Sequence, residues 1–196
     1  ILQFPVCESY ILQGITTFIG GQCGTSPAPI GDLIHLDGIS FGSEFMRDLV
    51  PFKYYPSKDM FPREQVNEML ERRLGYSLSW RTMGEFFKVV ENKGISCNFV
   101  PLVGHRNIRS VVLDEDYKRA ATEQERQEMA EHIHRAMADG CVGMSFGLDY
   151  DPDVFADIEE LVQHAAIMKD YDAIIVPHSR RTGRRRGMGQ GHHLPD

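Results

Sequence analysis

The sequence of 196 residues is poor in cysteine, with four, and in tryptophan, with one. Cys7, Cys23, Cys97 and Cys141 form no CxxC pair and lack the density of a disulfide framework, so a reducing, cytoplasmic setting is expected. No apolar run reaches the roughly 18–20 residues of a membrane helix, so no span is expected. The first residues, Ile1 to Pro5, hold neither an initiator methionine nor the basic start of a signal peptide, and the chain reads as beginning inside something longer. No GxGxxG follows a first strand, which weakens a dinucleotide-binding reading. Positive charge is also scarce, at 21 Lys and Arg against 28 Asp and Glu, a net charge of −7. Five of those Arg crowd into residues 180–186, so the body is more acidic still and is expected to repel nucleic acid.

What is present is an ordinary globular composition with a strong alternation of helix and strand patterns. Residues 4–13 read as a short helix with Phe4, Cys7, Tyr10 and Ile11 on one face. The β-branched run at 15–19 reads as a buried strand ending in Gly20-Gly21. Residues 24–42 read as loop, and 43–80 as an insertion with two small helices, near 43–50 and 62–74. From there the pattern is regular: helix 83–93, strand 96–103, a helix from Thr122 to about 138, strand 141–146, helix 153–169 and strand 173–176. Thr122 and Glu125 spell a capping box. The last helix is expected to bury a stripe of Ile158, Leu161, Ala165 and Met168. Short apolar strands alternating with helices define an α/β fold of parallel β/α units, either an open doubly wound sheet or part of a (β/α)8 barrel. Four strands would fill about half of a barrel.

Reactive residues follow each strand: Cys23 after the first, His105 and Arg109 after the second, Asp149 and Tyr150 after the third, His178 and Arg180 after the fourth. In parallel α/β folds these strand ends converge on one face, where sites are built. Cys23, flanked by Gly21 and Gly24, and His178 supply a thiolate and an imidazole, both good zinc ligands. Blander readings stand beside these: a small buried thiol, a hydrogen-bonded core histidine, a loop tyrosine. Cys7, Cys97 and Cys141 read as packing, His132 and His134 as a solvated helix face, and His192 and His193 as part of the Gly/Arg-rich tail.

Four blocks then carry a family resemblance: 14–29 (GITTFIGGQCGTSPAP), 98–109 (NFVPLVGHRNIR), 139–152 (DGCVGMSFGLDYDP) and 177–180 (PHSR), with an aromatic segment at 80–87. In this order they resemble the N-acyl-D-amino-acid deacylases, or D-aminoacylases, of the metal-dependent amidohydrolase superfamily. The resemblance spans about residues 1–183 and leaves 184–196 as a poorly packed tail. It implies a TIM-barrel amidohydrolase fold, about half a barrel here, with 43–80 as a helical insertion. It implies zinc at the C-terminal rim, held by Cys23 and His178. Tyr150 would contact the scissile carbonyl, Tyr150 and Arg180 would bind substrate, and His105 and Arg109 would be structural or support the ligands from behind. The implied reaction is hydrolysis of the amide of a small N-acyl-D-amino acid, zinc supplying hydroxide and an aspartate moving the proton. The family's H-x-H pair ahead of the cysteine block has no counterpart before Cys23, and nothing after Arg180 matches the family's late aspartate. The expectation is therefore an incomplete hydrolase, with a self-associating or partner-binding fragment as the rival. No nucleic-acid or membrane partner is expected.

Overall fold

A computed structural model of the chain describes residues 1–35 and 60–180. The helix expected near 43–50, the tail at 184–196 and most of the Arg cluster lie outside the described residues. The first helix, α1 (Glu8–Ile11), is shorter than its pattern suggests, and its presumed inner face is open to solvent. Phe4 is 72% exposed, and only Cys7 of that face is buried. Strand β1 (Thr17–Gly20) follows, then β2 (Leu33–His35) and β3 (Met60–Pro62), which pair antiparallel with each other. That small sheet, drawn from a segment read as loop and from the middle of the insertion, is a long-range pairing that local pattern does not reveal.

Helix α2 (Arg63–Leu74) lies inside the expected 62–74, and α3 (Met83–Lys93) matches its expected span. In α3, Thr82 and Glu85 form a capping box, and Met83, Phe86 and Val90 point inward. The single expected strand at 96–103 is broken at Leu102 into β4 (Asn98–Pro101) and β5 (Val103–Gly104). Strand β4 pairs parallel with β1, and β5 with β6 (Gly143–Gly147), which pairs parallel with β7 (Ile174–His178). Across the break, Leu102 N–H donates to Gly20 O and Val142 N–H to Pro101 O, carrying both ladders onward. The parallel strands thus stand side by side in chain order. No reversal of strand order, the mark of a doubly wound sheet, occurs among them.

Helix α4 (His105–Leu113) begins at the residue after β5, so His105 and Arg109 lie on a helix rather than in a rim loop. Helix α5 (Glu123–Asp139) carries the expected capping box and ends at left-handed Gly140. Helix α6 (Ile158–Ile167) departs most from its pattern. Ile158 is 70% exposed, while Glu160 and His164 are fully buried. The strands differ as well. All of β6 is buried, but Ile19 of β1 is 50% exposed, against the reading of the 15–19 run as a buried strand, and Ile174 and Ile175 of β7 are 46% and 43% exposed. β6 lies between two strands, whereas β1 and β7 each have one edge without a parallel neighbour among the described residues. His134 is exposed as expected and bonds Tyr171 Oη, but His132 is partly buried, and burial pulls its pKa down.

The α5 cap gives an acid-stability prediction. Glu125 accepts from Thr122 and pairs with Arg119, chiefly through hydrogen bonds to Arg119, and its pKa is held down to about 2 from an ordinary 4.5. A depressed folded-state pKa stabilises fully above 4.5 and progressively less as pH falls towards 2. The melting temperature of Glu125→Gln is expected to fall less steeply over that window than that of the unsubstituted protein. Parallel curves would contradict this.

Candidate metal centre

The chain places Cys23 by fastening the 21–24 loop across the ends of β5 and β6. Ser145 of β6, fully buried, accepts from Gly24 N–H at 3.0 Å and donates its hydroxyl to Gly21 O. Gly147, the last residue of β6, lies so close to the loop that an added Cβ would sit 2.1 Å from Cys23 O. Cys23 itself has φ 55°, a left-handed conformation that non-glycine residues rarely hold. Such strain, of order 1–3 kcal/mol, persists where the surroundings over-determine it, often at functional sites.

The β6–β7 register sets Gly147 opposite His178, and Leu148 N–H donates to His178 O. The thiol and the imidazole, 155 positions apart in sequence, meet with Sγ and Nδ1 3.4 Å apart. Cys23 is exposed, whereas Cys7, Cys97 and Cys141 are buried as expected. Burial pushes the Cys141 thiol up to about 12, so it is inert beside Cys23.

Tyr150 completes the cluster. Its ring stands edge-on to His178, centroids 4.8 Å apart and planes at 87°, and the side chain is partly open to solvent. Arg106, which the sequence reading passed over, lies with its guanidinium carbon 5.2 Å from the Tyr150 ring centre. It also donates to Thr25 Oγ1 and to Asp151 O, tying the Cys23 loop to the Tyr150 loop. Arg180 is half-buried, and its Nη2 donates to Ala156 O.

His105 and Arg109 lie apart from the open rim, in a fully buried polar cluster between α4 and α6. His105 Nδ1 bonds Asp153 Oδ1 at 2.8 Å, and Asp153 Oδ2 accepts from Gly147 N–H at 2.8 Å. Arg109 pairs with Glu160 and donates to Tyr117 O and Arg119 O. Through Asp153 this cluster reaches the strand end that seats the Cys23 loop. Asp153, Glu160 and His164 were not singled out from sequence. The signal for the last two is the Glu160/His164 spacing of four, which puts both on one helix face.

Cys23 and His178 suit a divalent cation. Two ligands on one tetrahedral zinc, at about 2.3 Å for sulfur and 2.1 Å for nitrogen, stand roughly 3.6 Å apart, close to the separation found here.

No protein-family model matches the chain. The fold is similar to part of a crystal structure of D-aminoacylase, described as defining a novel subset of amidohydrolases, which superposes with a TM-score of 0.62 at 23% identity, over 87% of this chain and 30% of that one. Within that class the chain resembles the D-aminoacylases and N-acyl-D-amino-acid deacylases. It is 25% identical to the D-aminoacylase of Alcaligenes xylosoxydans xylosoxydans over 173 residues, covering 88% of this chain and 29% of the relative. It is 28% identical to the N-acyl-D-aspartate deacylase of the same organism over 164 residues, covering 83% and 26%. The N-acyl-D-glutamate deacylase of Bordetella bronchiseptica, solved with zinc and a phosphonate mimic of the tetrahedral intermediate, superposes with a TM-score of 0.61 at 25% identity, over 92% of this chain and 30% of that one. The chain therefore spans less than a third of the length of these relatives. No helix among the described residues is long and apolar enough to cross a membrane.

Proposed function

We propose that this chain forms part of a (β/α)8 deacylase barrel, about half of one. It would supply two zinc ligands, Cys23 and His178, and the phenol of Tyr150, for hydrolysis of the amide bond of N-acyl-D-amino acids. The observation that carries the reading is the 3.4 Å approach of Cys23 Sγ to His178 Nδ1, beside Tyr150 and beyond the ends of parallel strands in chain order. The seating of the Cys23 loop supports it, since Ser145 and the close approach of Gly147 hold the exposed thiol at the strand ends. When bound, a divalent cation supplies Lewis-acid polarisation and a water of lowered pKa. Cys23 and His178 hold the cation, and Tyr150 presents a hydroxyl donor to the oxygen on which negative charge develops. The Arg106 guanidinium holds the Tyr150 ring from its other contact, and Arg180 is a cation for the substrate carboxylate. A catalytic zinc takes three protein ligands, and the described residues would supply two of them, Cys23 and His178. Turnover is accordingly expected of the whole barrel and not of these residues alone.

The rival reading, self-association without metal, draws on the exposed Ile158, Val162, Ile174 and Ile175. Thiol labelling separates the two. With iodoacetamide, Cys23 is expected to react first among the four cysteines, and zinc is expected to protect it, with protection lost in His178→Asn. Labelling of Cys23 at the same rate with and without zinc would sink the metal reading.

A further inference from the structure

The buried cluster behind the strand ends holds three donor atoms that converge on one point. His105 Nε2 lies 3.0 Å from His164 Nδ1 and 3.3 Å from Glu160 Oε1, and all three donor atoms lie within 4.8 Å of one another. All three residues are fully buried. The hydrogen bonds around them determine which atoms carry protons. His164 Nε2 faces Arg126 O at 3.1 Å, and a carbonyl oxygen only accepts, so Nε2 bears the hydrogen. In the neutral ring, with its hydrogen on Nε2, Nδ1 is a lone pair. In its neutral form with Nδ1–H donated to the Asp153 carboxylate, His105 turns an Nε2 lone pair inward. Glu160 Oε2 is taken by Arg109, while Oε1 is buried with no hydrogen-bond partner. Three acceptors thus meet in a dry space.

We infer that His105, Glu160 and His164 form a buried site for a divalent, zinc-class cation, separate from the Cys23–His178 pair. Nitrogen ligands on a tetrahedral zinc stand about 3.3 Å apart, near the separations found. A proton on His105 Nε2 could bond only one of the two facing acceptors at a time, whereas a cation serves all three. The surroundings fit a metal: Asp153 orients the imidazole through its far nitrogen, and Arg109 fixes the rotation of the Glu160 carboxylate. The donors are imidazole and carboxylate with no sulfur, so a cation here carries no thiolate signature. The site is closed to solvent, which makes its role structural: it ties α4 to α6 behind the rim.

The test uses the full chain carrying Cys23→Ser and His178→Asn, so that failure of the proposed function does not decide it. After chelation, cobalt(II) is added and followed by its visible absorption and by metal analysis. About one equivalent is expected to bind. Its band should be tetrahedral, with no thiolate-to-metal charge transfer. Adding Glu160→Gln or, should that not fold, His164→Asn is expected to abolish binding, and Asp153→Asn to weaken it about 10–100-fold. No cobalt bound by the folded double variant would overturn the inference. Unchanged binding in both Glu160→Gln and His164→Asn would overturn it equally.

Discussion

Replacing Arg109 by methionine is expected to cost about 3–5 kcal/mol, the penalty for leaving one partner of a buried ion pair alone. Arg109 and Glu160 are both fully buried, and Arg109 Nη1 donates to Glu160 Oε2. Methionine fills much of the same volume, so the loss is electrostatic and not a cavity effect. The substitution also strips donors from Tyr117 O and Arg119 O. Against a typical total stability of about 5–15 kcal/mol, that leaves the domain marginal. The double variant Arg109→Met with Glu160→Leu is expected to recover most of the loss, since replacing both partners by apolar groups removes the uncompensated charge. Urea unfolding of the two variants checks this. A single variant within about 1 kcal/mol of the parent would show the pair to be dispensable.

Gly147→Ala has the largest expected effect on the candidate centre. A Cβ there would stand 2.1 Å from Cys23 O and 2.9 Å from Cys23 C, and backbone atoms cannot yield as a flexible side-chain tip does. Either the 21–24 loop or the end of β6 must move, at an overpacking cost of about 1–3 kcal/mol. The larger consequence is geometric. His178 is the register partner of Gly147, so the shift separates Cys23 from His178. Metal affinity is expected to fall by at least the roughly 10–100-fold typical of disturbing a ligand's support. Gly31→Ala is the control. Its Cβ would meet Leu33 O at 3.5 Å, an ordinary contact, and metal binding should be unchanged. Equal affinity in both variants would detach the loop's seating from the metal site.

The helices that read best from sequence were those with both an apolar stripe and a cap. In α5, Thr122–Glu125 marks the start and Gly140 the end; in α3 the stripe and Gly94 were read, and the structure adds the Thr82–Glu85 cap. The meeting of Cys23 and His178 was legible for a different reason: parallel strands bring their C-terminal ends to one face however far apart they lie in sequence. At helix α6 the expected stripe holds for Leu161, Ala165 and Met168, which pack against the core, and fails at Ile158. The same helix also buries Glu160 and His164, stabilised by partners on α4 that only the tertiary structure supplies. Helix α4 was missed for the same reason, since His105, Arg106, Asn107, Arg109 and Ser110 are all buried in it. The β2–β3 pairing crosses from residue 35 to residue 60 and leaves no local mark. Arg106 and Asp153 were overlooked because their importance lies in joining loops, a property of contacts and not of residue type.

The central claim is that Cys23 and His178 bind one divalent cation. Cobalt(II) titration of the chelated chain, read in the near ultraviolet, tests it most directly. A thiolate-to-cobalt charge-transfer band is predicted for the unsubstituted chain, absent in Cys23→Ser and weakened in His178→Asn. That band is specific to sulfur ligation, so the buried histidine–glutamate cluster does not contribute to it. A chain that binds cobalt without the band, or a band that survives Cys23→Ser, would contradict the account.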